Sequence, residues 1–202
     1  MTAAPAVRLA GATDVDAVAE VLAAAYDGDP WVGWVVDADR HRERIRALQA
    51  GLLGLVGVPH GEVELAEEAT GAVLGGAMWL LAERPVPASA WARVAAHEEE
   101  LMGGRHAAAL AAGAATGHLR PRSPHHLLAT LGVLPWARGR GIGSALLAPV
   151  LGRAERDGPP AYLETSSEEN LAFYARLGFA VTGHVRLPDG GPPVWGLLRS
   201  PA

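Results

Sequence analysis

Leu131-Gly132-Val133-Leu134-Pro135-Trp136-Ala137-Arg138-Gly139-Arg140-Gly141-Ile142-Gly143-Ser144-Ala145-Leu146 runs from an apolar strand into a glycine-rich turn that opens a helix. Glycines at 139, 141 and 143 expose successive backbone N–H groups at a helix N-terminus, where the macrodipole favours negative charge, and Arg138 and Arg140 add cations. The pattern is that of a phosphate clamp. A P-loop is excluded, because Ile142-Gly143-Ser144 follows Gly141 with no lysine to reach the β- and γ-phosphates. The dinucleotide fingerprint comes nearer: Gly139, Gly141 and the small Ser144 sit at its spacing, and Glu164 ends the next apolar run where a ribose-binding acid belongs. Two features count against it. Pro135 to Arg138 separate the strand from the first glycine, and too little chain follows Ser144 for the βα units such a sheet requires.

Outward from this turn, periodicity organises the rest of the chain. Upstream, Val7 to Leu9 reads as a strand, and Thr13-x-x-Asp16 caps a helix whose apolar residues Val15, Val18, Val21, Leu22 and Ala25 step by three and four. Asp27-Gly28-Asp29-Pro30 stops that helix. After Trp31 to Val36, Asp37 and Asp39 stand at the start of a second helix carrying Ile45, Leu48, Leu52 and Leu55. Val63 and Leu65, a turn over Glu67 to Gly71, and Ala72 to Leu81 predict a hairpin. Pro85-x-Pro87 ends it, and an alanine-rich helical segment over about 88–120, interrupted at Gly103-Gly104, is inserted before the strand His126 to Leu134. Downstream come a helix with Ile142, Leu146, Leu147, Val150 and Leu151 on one side, a strand Ala161 to Glu164, and a helix Glu168 to Leu177 with Gly178 at its C′ position. Two strands near Phe179 to Val185 and Val194 to Arg199 follow. This order predicts an α/β sheet of mixed direction.

Composition narrows the partners. The chain has 202 residues, half of them hydrophobic, enough for one sizeable core. A net charge of −5 gives no general pull towards nucleic acid or an anionic membrane and suits a cationic acceptor. No uncharged apolar run reaches the 18 or so residues of a spanning helix. The absence of cysteine excludes disulfides, cysteine-ligated zinc and thiol catalysis. The first residues lack the basic-then-apolar run of a signal peptide, so the expected compartment is the cytoplasm. All 17 basic residues are arginine, an association with GC-rich bacterial genomes. His125 and His126 are adjacent, and His97-Glu98 lacks a second histidine four positions on, so no metal is expected.

Arg138-x-x-Gly141-x-Gly143 after Leu131 to Pro135, together with Tyr174-Ala175-Arg176-Leu177-Gly178-Phe179 downstream, resembles the GNAT superfamily of N-acetyltransferases. Within it the similarity runs nearly full length towards the puromycin-acetylating branch: Val7 to Ala10, Leu22 to Ala25, Leu128 to Thr130, Ala161 to Ser166 and Phe173 to Phe179. The segment Asp27 to Trp34, which borders the acceptor pocket in that branch, departs from it at Asp29, Trp31 and Trp34. Asn170 lies four residues before Tyr174 rather than the seven usual in the superfamily. The resemblance implies one domain over 1–202, with a mixed, mostly antiparallel twisted sheet flanked by helices. It implies acetyl-CoA as co-substrate, held by Leu131, Val133, Arg138, Gly139, Arg140, Gly141, Ile142, Gly143, Ser144 and Asn170, and an antibiotic-modifying role as one expectation. The assembly expected is a monomer or homodimer.

Acetyl transfer to an amine needs a neutral nucleophile, donors for the tetrahedral oxyanion, and an acid for the departing thiolate. The resemblance places the Tyr174 hydroxyl at the thiolate, and a phenol stays protonated at neutral pH. Glu164, ending an apolar strand, is the candidate base; a helix cap or an arginine partner is its other reading. The resemblance implies a backbone N–H near Val133 for the oxyanion. Tyr26, Asp29, Trp31 and Trp34 are candidates for binding a small aromatic or cationic amine by stacking and charge, core packing being the alternative for the tryptophans. The expected activity is direct acetyl transfer to a small-molecule amine. Acetylation of a protein or peptide, or a non-catalytic acyl-CoA sensor, are the alternatives.

Overall fold

The computed structural model describes residues 5–201, with side chains for all of these but 156 and 157. Seven strands form one sheet: β1 (Ala6–Leu9), β2 (Glu62–Glu67), β3 (Val73–Leu80), β4 (His126–Val133), β5 (Ala161–Thr165), β6 (Ala180–Arg186) and β7 (Pro193–Arg199). Their spatial order is β1-β2-β3-β4-β5-β7-β6, and every neighbouring pair is antiparallel except β4 with β5. The helices are α1 (Val15–Ala25), α2 (Pro30–Val35), α3 (His41–Leu52), α4 (Val58–His60), α5 (Ala88–Met102), α6 (His106–Thr116), α7 (Ile142–Asp157) and α8 (Leu171–Arg176). None is long and apolar enough to cross a membrane. The parallel β4–β5 pair is joined by α7, because a parallel connection needs a crossover.

Two layers of side chains seal the sheet. On one face Leu146, Leu147 and Val150 of α7 pack with Leu74, Leu163, Tyr174 and Phe179. On the other, Val18 and Leu22 of α1 pack with Leu53, Leu65 and Met78. Each fully buried Leu or Val contributes roughly 1.5–3 kcal/mol relative to exposure, so these two faces carry much of the stability.

Local chemistry moves several boundaries from their expected places. The Thr13-x-x-Asp16 box does not form. Asp14 accepts from the Gly11 N–H at 2.8 Å and closes a 3-10 turn, Ala12–Asp14, ahead of α1. Trp31 to Val36, expected as connecting chain, contains α2: the Asp29 carboxylate accepts from Trp31 N–H at 2.9 Å and Val32 N–H at 3.0 Å, with Pro30 at the first helical position. α3 starts at His41 rather than at Asp37 or Asp39, after Arg40 turns left-handed at φ 48°. It runs on through a π turn, Leu53–Gly57, where a Cβ on Gly57 would lie 2.9 Å from Val63 Cγ2. The inserted helical segment is α5 and α6, ending at Thr116.

Candidate active site

β4 and β5 stay in register over three residue pairs only, His126 with Ala161, Leu127 with Tyr162 and Leu128 with Leu163. Beyond them lies a cavity of about 600 Å³. Its walls are the loop from Ala25 to Pro30, the β4 edge at Leu131 to Val133, the turn from Ala137 to Ser144, and the segment between Ser167 and Arg176.

The glycine turn has the geometry of an anion cradle. Gly139 and Gly141 stand at φ +76° and +78°, and a Cβ on either would meet nothing, so glycine is required there by backbone conformation alone. The first intrahelical bond of α7 runs from Ala145 N–H to the Gly141 carbonyl at 3.0 Å. The N–H groups of Ile142, Gly143 and Ser144 therefore stand at the helix mouth, facing the cavity. Gly143 has a different reason: a Cβ there would lie 3.1 Å from Phe173 Cζ, so its smallness lets α8 close over α7.

The two arginines of the turn are already engaged. Arg138 lines the cavity but donates from Nη2 to the Ala25 carbonyl at 2.9 Å and from Nε to the Val133 carbonyl at 3.4 Å, tying the end of α1 to β4. Arg140 sits outside the lining, 3.6 Å from Glu68. Sequence reasoning missed Arg176, an exposed cation on the opposite wall. Its place in the cavity wall follows only once Gly143 lets α8 close against α7. Asn170 lines the cavity and donates to Thr165 Oγ1 at 3.5 Å.

Tyr174 is buried with its ring edge-on to Phe173 at 5.0 Å and Phe179 at 5.9 Å. Burial, then the nearby Tyr26 and Asp29, push its phenol well above the ordinary range, so it stands as a proton donor at neutral pH. Asp29 and Tyr26 share this cavity. Besides capping α2, the Asp29 carboxylate receives the Ser166 hydroxyl at 3.4 Å on Oδ1 and 3.5 Å on Oδ2. With Asp27 beside it, this end of the cavity is acidic.

Three other expected site residues lie outside the lining. Glu164 is on the β5 face shared by Tyr162, whose hydroxyl donates to it at 3.1 Å, and stands 3.8 Å from Arg120. Trp31 and Trp34 pack with Val32, Val35 and Ile45 on one side and with Ala112, Leu187 and Val194 on the other. A Cβ on Gly191 would lie 2.9 Å from Trp34 Cε2, so that contact is tight. The core reading of the tryptophans is the one their packing supports.

The sequence profile described as Acetyltransferase (GNAT) family matches residues 64–179. A structure described as histone acetyltransferase HPA2 and related acetyltransferase from Corynebacterium glutamicum is similar at TM-score 0.75 and 27% identity, covering 99% of this chain and 98% of that one. A GCN5-related N-acetyltransferase from Kribbella flavida superposes at TM-score 0.54 and 23% identity, covering 98% of both chains. A polyamine N-acetyltransferase from Drosophila melanogaster does so at 0.59 and 18%, covering 97% of this chain and 99% of its own. With the profile covering more than half its length, and with the β4 edge, the glycine turn and Tyr174 lining one cavity, the chain belongs to the GNAT acetyltransferase family.

Proposed function

We propose that the protein transfers the acetyl group of acetyl-CoA to a small amine that is cationic in solution, which gives up its ammonium proton to water on binding and attacks as the free base in a ternary complex. The observation that carries this reading is the shared cavity: the glycine cradle stands at one end, and Tyr174 and Asp29 stand together at the other. The donor's phosphates lie against the N–H groups of Ile142 to Ser144, with Arg176, a cation without an ion-pair partner among the described residues, in the lining of the same cavity. Tyr174 protonates the departing thiolate. Asp29 Oδ2, met among the described residues by Ser166 alone, is the oxygen left to attract an ammonium group. Glu164, two residues before Ser166, takes the amine proton through water. An aminonucleoside antibiotic of the puromycin type is one acceptor of this class, and an antibiotic-resistance role would follow from it.

Thiol release over a panel of amines tests the reading, together with Asp29→Asn. Asparagine caps a helix as well as aspartate does, so this change removes charge while keeping α2. The KM for a cationic alkylamine is expected to rise ten- to hundredfold, roughly the worth of a hydrogen bond to a charged group. The KM for an arylamine that is neutral at assay pH stays put. Equal effects on both acceptors, or CoA binding without turnover of any amine, would sink it.

A further inference from the structure

The ladder between β3 and β4 fixes which backbone groups reach the cavity. Leu134 N–H donates to the Leu74 carbonyl at 2.9 Å, and the register then pairs Gly75 with Val133, Gly76 with Gly132 and Ala77 with Leu131. In an antiparallel pair, alternate residues bond to the partner and the others point away. The N–H and carbonyl groups of Leu131 and Val133 therefore point away from β3, towards the edge where β5 has parted. Leu131 to Val133 form the cavity wall there. A thioester carbonyl laid against this edge has two amides to choose from, and they differ. Val133 N–H is without a ladder partner, while Leu131 N–H donates to the Tyr26 hydroxyl at 3.4 Å. At the Leu131 position the group that faces the cavity is thus the phenol and not the amide.

Where the phenol's own hydrogen goes follows from an accounting of donors. Tyr26 Oη lies 2.9 Å from Thr130 Oγ1, and either atom can donate. Thr130 is buried, and Tyr26 is its side chain's hydrogen-bond partner among the described residues. Its hydrogen has nowhere else to go, whereas the hydrogen of Tyr26 has the cavity in front of it. The arrangement that leaves no donor idle has Thr130 O–H and Leu131 N–H both donating to Tyr26, and Tyr26 donating onward. The side chain is held from behind as well. Its own N–H bonds to the Leu22 carbonyl, its carbonyl receives Asp29 N–H, each at 2.9 Å, and Arg138 pins the neighbouring Ala25 carbonyl. Burial raises the Tyr26 phenol above its ordinary range, keeping it a donor at neutral pH.

We propose that Tyr26 is a catalytic residue whose hydroxyl, backed by Leu131 N–H and Thr130, donates to the thioester oxygen as it becomes tetrahedral, alongside Val133 N–H. This rests on the acetyl-transfer reading above and adds to it a residue for the oxygen. The amine lone pair forms the new C–N bond while the carbonyl π pair moves onto oxygen, where Tyr26 and Val133 hold it. That pair returns as the C–S bond breaks, the thiolate takes the Tyr174 proton, and the amine's extra proton leaves through water to Glu164. Preorganised donors aimed at developing charge need no reorganisation during the reaction.

Tyr26→Phe and Thr130→Val, assayed with whichever amine the wild type acetylates best, test the assignment. Phe keeps the ring packing, and the freed Leu131 amide lies a hydroxyl's length too far back to substitute. The expected result for Tyr26→Phe is a kcat lower by ten- to hundredfold, with the KM values for acetyl-CoA and amine within threefold and the melting temperature within a few degrees. Thr130→Val, which removes only a supporting donor, should cost less than a tenth of that. A Tyr26→Phe kcat within twofold of wild type overturns the assignment while leaving the acetyl-transfer reading intact. So does a raised acetyl-CoA KM at unchanged kcat, which would make Tyr26 a binding contact. No turnover by the wild type overturns both.

Discussion

Tyr174 brings together two properties that the family motif alone does not supply: a buried hydroxyl and an acidic neighbour, Asp29, that makes its ionised form still less favourable. A group so placed keeps its proton at neutral pH and holds it ready for the departing thiolate. Tyr174→Phe is expected to lower kcat by about a hundredfold, the usual worth of general acid catalysis, with the acetyl-CoA KM changed less than threefold; steady-state thiol release measures both. Gly143 carries the second residue-scale expectation. Gly143→Ala drives a methyl into the Phe173 ring, raising the acetyl-CoA KM, and Phe173→Leu on that background restores much of it; isothermal titration with CoA checks the pair. The glycines and Tyr174 were legible in the sequence because their spacing along the chain is itself the signal. Arg138 was read as a phosphate ligand because its partner, the Ala25 carbonyl, is 113 positions away, a distance no local pattern records. Trp31 and Trp34 leave both readings open in the sequence for a related reason: aromatic residues in a loop look alike whether they line a pocket or, as their packing supports here, seal α2 against α6.

Among the elements, β1 is the shortest strand beside β2 and depends on charge at its end. Arg8 donates to Asp14 at 2.8 and 2.9 Å and to Glu67 at 3.0 and 3.1 Å, joining β1, the turn before α1 and β2. Hydrogen bonds from Arg8 and from Gly11 N–H hold the Asp14 carboxyl down at about 2 from its usual 3.8. A depressed carboxylate contributes stability that is complete above its unfolded value and is lost as pH falls through the folded one. Asp14→Asn is therefore expected to lower the melting temperature at pH 7, with the gap to wild type shrinking as pH falls from about 4 towards 2. Element type was largely readable from apolar period. α2 was the exception, although Asp29-Pro30 is a cap followed by a favoured first residue: six residues are too few for a periodicity to show, and the Asp27-Gly28 turn beside them draws the eye to a break.

For the molecule as a whole, one contribution to stability depends on a neutral histidine at the base of the β4–β5 seam. His126 is buried where β4 begins, and its Nδ1 accepts from Ala82 N–H at 3.3 Å, a bond that the doubly protonated ring cannot keep. Burial lowers its pKa from 6.5, with Glu83 working in the opposite direction. The unfolded chain thus binds the proton more readily, so this contribution is present above 6.5 and is lost as pH falls below it. His126→Asn, which still accepts the Ala82 N–H, should flatten the fall in melting temperature between pH 7 and 5; an unchanged slope in a calorimetric series would refute this. The α/β class and the strand order in sequence were legible because the hydrophobic pattern repeats them. The parting of β4 from β5 was not, since it depends on where pairing stops, and β4 runs on through Ala129 to Val133 past that point with no break in its strand pattern.

β4 and β5 pair over three residues only, and the donor site proposed above lies where they part, so a donor bound there would supply contacts that the strands do not. On that reading acetyl-CoA would be part of what keeps the molecule folded: at a concentration a hundredfold above its Kd, a ligand that binds only the folded chain adds about 2.7 kcal/mol to stability. The melting temperature is then expected to climb with donor concentration before any acceptor has entered the site, and a thermal series over acetyl-CoA concentrations checks it.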